Sequence, residues 1–158
     1  LASLFLMTTG LFAQNKKLPN IKLKTIEGKT VNIAELSNNG NPIVISFWAT
    51  WCKPCQAELD AIAELYPDWQ DDLGVQLVAI TIDTQRQLSK VPGILSTKGW
   101  EYNVYSDANN VLKNQLGFQA IPQTYVVDSE GNILYSHSGY SAGDEYDLED
   151  KLKELADK

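Results

Sequence analysis

Apolar positions along the chain change period several times. Residues 21–25 and 30–33 are short β-favouring runs on either side of Glu27-Gly28-Lys29, which predicts a hairpin. A turn-forming stretch at residues 38–42 leads into Ile43-Val44-Ile45-Ser46-Phe47-Trp48, an unbroken run of β-branched and aromatic residues around one serine. That run predicts a strand covered on both faces. From about residue 52 to 71 the apolar positions Cys55, Leu59, Ile62, Tyr66 and Trp69 step by four, three, four and three, drawing one buried stripe along a helix. Pro54 falls in the first turn, where its missing N–H is harmless. Pro67 is expected to kink or end the helix, because its ring collides with the carbonyl four residues back.

Beyond it, residues 75–82 predict a second buried strand. Leu88, Val91 and Leu95 suggest a short helix interrupted by Pro92, and residues 102–105 another short strand. Asp107 is placed to cap a helix running to Leu116, which Gly117 stops. Residues 123–128 and 133–137, joined by Ser129-Glu130-Gly131-Asn132, predict a second hairpin. A last helix over about 142–156 carries Leu148, Leu152 and Leu155 on one face, with acidic residues early and lysines late, as the helix dipole favours. The order β–β–β–α–β–α–β–α–β–β–α predicts an α/β fold, a mixed sheet flanked by helices. No linker divides residues 14–158, which read as one domain.

Charge narrows the partners. Thirteen basic against twenty acidic residues give a net charge of −7, and Arg86 is the only arginine. A face for nucleic acid or anionic lipid needs clustered cations, so neither is expected as a partner. The first thirteen residues, LASLFLMTTGLFA, carry no charge. They are too short and too broken by Thr8, Thr9 and Gly10 for a spanning helix. They resemble the apolar part of a secretory signal, with a cleavage point after Ala13, so residues 14–158 are expected in the periplasm or otherwise outside the cytoplasm; the plainer alternative is an unstructured or tag-derived leader.

Only two cysteines are present, three residues apart. A disulfide-held scaffold carries several well-spaced pairs, and a zinc site wants four ligands, which Cys52, Cys55 and the lone His137 do not supply. His137 reads as an ordinary surface or core histidine. Cys52-Lys53-Pro54-Cys55 follows a buried strand and opens a helix, where unpaired N–H groups and the dipole favour an anionic sulfur. Cys52, at the very start, is expected to be exposed and nucleophilic. Cys55, on the apolar stripe, is expected to be shielded and to resolve the mixed disulfide. Such a dithiol carries two electrons itself, so no cofactor is expected. Read alone, Ile121-Pro122 before a strand is a trans, turn-type step, since cis is the minority form.

Phe47-Trp48-Ala49-Thr50-Trp51-Cys52-Lys53-Pro54-Cys55 resembles the active-site segment of thioredoxin-like proteins, most closely the TlpA/ResA branch of exported disulfide reductases. Residues 117–128, GFQAIPQTYVVD, resemble the segment in which that family carries a cis-proline facing the dithiol. The likeness spans about residues 18 to 155. It implies a thioredoxin-like fold with a leading hairpin and a helix–strand insert around residues 84–105. It also implies that Pro122 is the cis-proline, preceded by Ile121, and that both help hold a substrate chain. Thioredoxin itself has a buried aspartate where Ser46 stands, so that proton acceptor is missing. The branch carries a glutamate at the offset of Glu58, three residues beyond Cys55. Glu58 is therefore either the group that deprotonates Cys55 or an ordinary surface carboxylate. Trp51, beside the nucleophile, suits an apolar docking surface, while Trp48 suits the core.

The function expected is a thiol–disulfide oxidoreductase, a reductase of disulfides in exported proteins, with cytochrome c precursors among the substrates the likeness implies. Its electrons would come from a membrane-embedded thiol donor. Reductant over oxidant rests on the likeness alone: proteins on this fold span roughly 150 mV, and one cation such as Lys53 shifts a potential far less. Two rivals remain. A peroxidase of the peroxiredoxin type wants a hydroxyl three residues before its cysteine, where Ala49 stands, and an arginine nearby. A copper carrier would use soft ligands, and the sole methionine, Met7, lies in the leader.

Overall fold

The computed structural model describes residues 16–36 and 40–157. The expected leader at residues 1–13 lies outside the described residues. One seven-stranded mixed sheet organises the chain, in the order β2-β1-β5-β4-β3-β6-β7. Its strands are β1 (Lys22–Thr25), β2 (Thr30–Asn32), β3 (Ile43–Trp48), β4 (Gln76–Thr81), β5 (Asn103–Ser106), β6 (Gln123–Val127) and β7 (Ile133–Ser138). The helices are α1 (Ile33–Leu36), α2 (Lys53–Leu73), α3 (Val91–Lys98), α4 (Val111–Leu116) and α5 (Asp144–Ala156). Both expected hairpins form: β1 pairs antiparallel with β2, and β6 with β7.

β3 lies inside the sheet, parallel to β4 and antiparallel to β6, and all six of its residues are buried. This is the sandwiched strand its apolar run predicts. Successive side chains leave opposite faces. Ser46 meets Glu58 of α2 on one face, and Trp48 on that same face packs edge-on against Trp100, ring centroids 5.3 Å apart. Phe47 turns the other way and packs at a tilt against Phe118, just past α4, and edge-on against Tyr125. The insert adds β5 between β4 and β1, parallel to β4.

Several boundaries differ from the expectation. α2 does not end at Pro67 but continues to Leu73, where Gly74 closes it in the left-handed region at φ 63°. Pro67 is exposed, so solvent reaches the backbone near the missing hydrogen bond, while Trp69, 1% exposed, anchors the following turn in the core. Pro92 does not interrupt a helix: Leu88–Lys90 form a 3₁₀ turn and Pro92 falls within the first turn of α3. α4 starts only at Val111, with Asn110 at its N-cap in the left-handed region. Asp107 still serves that end, accepting the N–H groups of Leu112 at 3.2 Å and Lys113 at 2.9 Å. α1, four residues long, had no helical signature of its own in the sequence.

Candidate active site

β3 ends at Trp48 and the chain turns at once, Cys52 N–H donating to the Ala49 carbonyl at 3.0 Å. Cys52 is the N-cap of α2 with extended backbone (φ −98°, ψ 97°), and its sulfur accepts the Cys55 N–H at 3.3 Å. The sulfur therefore sits at the positive end of the helix, where one of the orphan donors reaches it. Cys52 and Cys55 are joined as a disulfide, Cα atoms 5.3 Å apart. Cys55 is fully buried, as its place on the stripe predicts. Cys52 is not the open residue expected: only 6% of it is exposed, because the turn at Ala49 and the bond to Cys55 draw its sulfur onto the helix end. Trp51, the residue before it, is 57% exposed, whereas Trp48 is wholly buried.

Glu58 lies one helical turn beyond Cys55 and is only 4% exposed, so it is not a surface carboxylate. Ser46 Oγ donates to its Oε2 at 3.0 Å and Thr124 Oγ1 to its Oε1 at 2.8 Å. Burial pushes its pKa above the ordinary value of 4.5, and the two hydroxyl donors pull part of the way back. Ser46 thus stands under the carboxylate as a donor, in place of a titrating group.

The Ile121–Pro122 peptide is cis. The next residue, Gln123, lies opposite Phe47 in the β3–β6 register, so Pro122 stands where β3 gives way to the dithiol turn. Pro122 is buried and Ile121 half-buried. Six residues named from the sequence, Trp51, Cys52, Cys55, Glu58, Ile121 and Pro122, thus share one end of the β3–β6 pair and the first two turns of α2.

Three groups escaped the sequence reading. Asp83, fully buried just past β4, accepts the Thr50 N–H and the Thr50 hydroxyl, each at 2.8 Å, and the Thr81 hydroxyl at 2.6 Å. Gln56 Nε2 donates to the Thr50 carbonyl at 2.9 Å, so the residue two before the dithiol is held at its N–H, its hydroxyl and its carbonyl. The available signal was a lone carboxylate directly after a buried strand. Thr124 lay inside the Pro122 segment without being singled out. His137, which read as an ordinary histidine, pairs through Nε2 with Asp144 Oδ2 at 3.0 Å. Among the described residues no group of three or more His, Cys, Asp or Glu could hold a metal ion, and no helix is long and apolar enough to cross a membrane.

Residues 15–136, more than half of the chain, match the AhpC/TSA family. The chain belongs to that family. Within it, this AhpC/TSA protein is similar to the thiol-disulfide oxidoreductase ResA of Bacillus thuringiensis strain Al Hakam, 27% identical over 157 residues, covering 96% of this chain and 87% of that protein. It is also similar to the thiol:disulfide interchange protein DsbE of Yersinia pestis, 34% identical over 128 residues, covering 78% of this chain and 63% of DsbE. A thioredoxin-like protein of Porphyromonas gingivalis, solved in solution, superposes with a TM-score of 0.79 at 46% identity, covering 89% of this chain and 92% of that one. The AhpC/TSA chain has the thioredoxin-like fold, and with its Cys52–Cys55 pair it is a thiol–disulfide oxidoreductase.

Proposed function

We propose that the protein reduces disulfides in exported proteins, with Cys52 as nucleophile, Cys55 as resolving thiol and Glu58 as the base for Cys55. Cys52 thiolate attacks one sulfur of a substrate disulfide, forming a mixed disulfide and expelling the first substrate thiolate. Cys55 passes its proton to Glu58, attacks the Cys52 sulfur and expels the second. The substrate gains two electrons, and the pair ends as the disulfide seen here. A membrane-embedded thiol donor would return the enzyme to its dithiol form. Trp51 and Ile121 offer apolar surface to the incoming chain and Pro122 positions it, and cytochrome c precursors are among the substrates this reading admits.

One observation carries the assignment of roles: the Cys52 sulfur sits on the helix end and accepts the Cys55 N–H, while the buried Glu58 lies one turn beneath. The test is a Cys55→Ala variant exposed to an extract of exported proteins under oxidising conditions. It should accumulate mixed disulfides through Cys52 that dithiothreitol releases, and the intact protein should reduce insulin with a thiol donor. Adducts that form equally on a Cys52→Ala variant would end the assignment. Because Glu58 accepts a proton only when ionised, resolution should quicken as pH rises through its raised pKa, and Glu58→Gln should remove that limb.

A further inference from the structure

The register of three strands lines up three polar side chains. Ser46 of β3 stands opposite Thr124 of β6, and Thr124 opposite His137 of β7, so all three leave the same face of the sheet. Over the inner pair lies Glu58 of α2; over the outer end lies Asp144, the first residue of α5, bonded to His137. Exposure grows along the row. Ser46 is fully buried, Thr124 is 1% and Glu58 4% exposed, while the side chains of His137 and Asp144 retain 35% and 26%. A cavity of about 10 Å³ lies between the two ends, bordered by Glu58, Thr124, His137 and Asp144. That volume is on the order of what one water needs, and its walls offer polar partners.

We propose that this row is a proton outlet, through which Glu58 exchanges its proton with solvent by way of the cavity and the His137–Asp144 pair. The inference rests on the reading of Glu58 as the base for Cys55 and adds where the proton goes next. Once Glu58 has taken the Cys55 proton, it passes that proton to His137 across the cavity before Cys55 attacks, so that the thiolate is not reprotonated. The imidazolium formed is held against the Asp144 carboxylate and returns the proton to bulk water, leaving Glu58 ionised for the next turnover. No electrons move in this step. Without an outlet, a carboxylate so enclosed can only hand the proton back to Cys55, which lowers the thiolate fraction and slows resolution. His137 touches neither sulfur and acts only through Glu58.

The titratable groups around Glu58 come from every element packed on it. Cys52 and Cys55 belong to its own helix, His137 and Tyr135 to β7, and Asp144 and Glu145 to α5. Tyr140 precedes α5, donates to Glu145 at 2.9 Å and feels the Glu58 charge, and Tyr102, bonded to the Leu59 carbonyl, feels it from the other side. Asp144 is held below the usual carboxylate range, first by the Ser141 N–H and then by His137, so it stays anionic to receive an imidazolium. The tyrosines named here are all pushed upward, chiefly by burial, and keep their protons at neutral pH.

The experiment follows reduced protein mixed with dithiobis-nitrobenzoate in a stopped-flow instrument. The first nitrothiolate released reports attack by Cys52, and the second reports resolution by Cys55. In dilute buffer His137→Ala should slow the second phase about tenfold while leaving the first unchanged, and added imidazole should restore it. Asp144→Asn, close in volume, should slow it in the same direction, which guards against a folding defect in the alanine variant. Combined with Glu58→Gln, His137→Ala should add no further loss. A second phase at the native rate in both variants, or a loss that no small base repairs, overturns the outlet. If Glu58→Gln itself leaves the pH profile of the second phase untouched, the underlying role of Glu58 fails instead, and the two failures are told apart by that variant alone.

Discussion

At the scale of single residues, Glu58 and Asp83 are both buried carboxylates bonded to hydroxyl groups, yet they do different things. Burial favours the protonated form of Glu58 in the folded protein, so its contribution to stability is present below pH 4.5 and is lost as pH rises through the raised folded value. Glu58→Gln has no such loss. Its stability relative to the native protein should therefore increase from acid to neutral pH in urea melts, and a constant difference would contradict the raised pKa. Asp83 instead organises the turn before the dithiol. Asp83→Ala strands the Thr50 and Thr81 hydroxyls and the Thr50 N–H, and should cost about 2–3 kcal/mol in thermal or urea unfolding. It should also change the alkylation rate of Cys52, whereas an unaltered melt and rate would mean Thr50 is held by its other bonds. The sequence made Cys52, Cys55 and the position of Glu58 legible, because each depends on spacing within one helix. It could not show that Glu58 is buried, since the partners that enclose it come from strands twelve and sixty-six residues away. Asp83 was hidden for the same reason, thirty-three residues separating it from Thr50.

Among the elements, those with a sustained period were legible nearly to their ends, as with β3, the two hairpins and the buried stripe of α2. What failed were local rules opposed by tertiary contacts. Pro67 forbids one backbone hydrogen bond, but the burial of Tyr66 and Trp69 on either side of it keeps the helix going to Leu73. Replacing it restores that bond at an exposed position. Pro67→Ala should stabilise the fold by about 1–2 kcal/mol, less than the roughly 3 kcal/mol of an interior proline because the unfolded chain also gains freedom. In a domain of this size that is a rise of a few degrees in Tm by calorimetry, and a fall would show that α2 needs the proline's shape. α4 began late because Asp107 reaches forward to Leu112 and Lys113 across a left-handed Asn110, a geometry with no plain sequence mark.

For the molecule as a whole, alternation of strands and helices announced a mixed sheet with helices about it, but not the order of its strands. The place of β5 between β1 and β4 is set by pairings across some eighty residues, as with Lys24 opposite Ser106. The same sheet has two outer rims, and one is partly closed by the start of the described chain. Ile133 N–H donates to the Lys16 carbonyl at 2.7 Å, Leu18 N–H to the Gly131 carbonyl at 2.9 Å, and the Lys16 ammonium caps the last carbonyl of α4. An uncovered strand rim is a template for a second chain. Residues 16–18 thus work as a selvage that stops the fabric from being extended. A version trimmed to begin at Pro19 should sediment as concentration-dependent aggregates, while one beginning at Gln14 should not; identical sedimentation of the two would show that this border protects nothing.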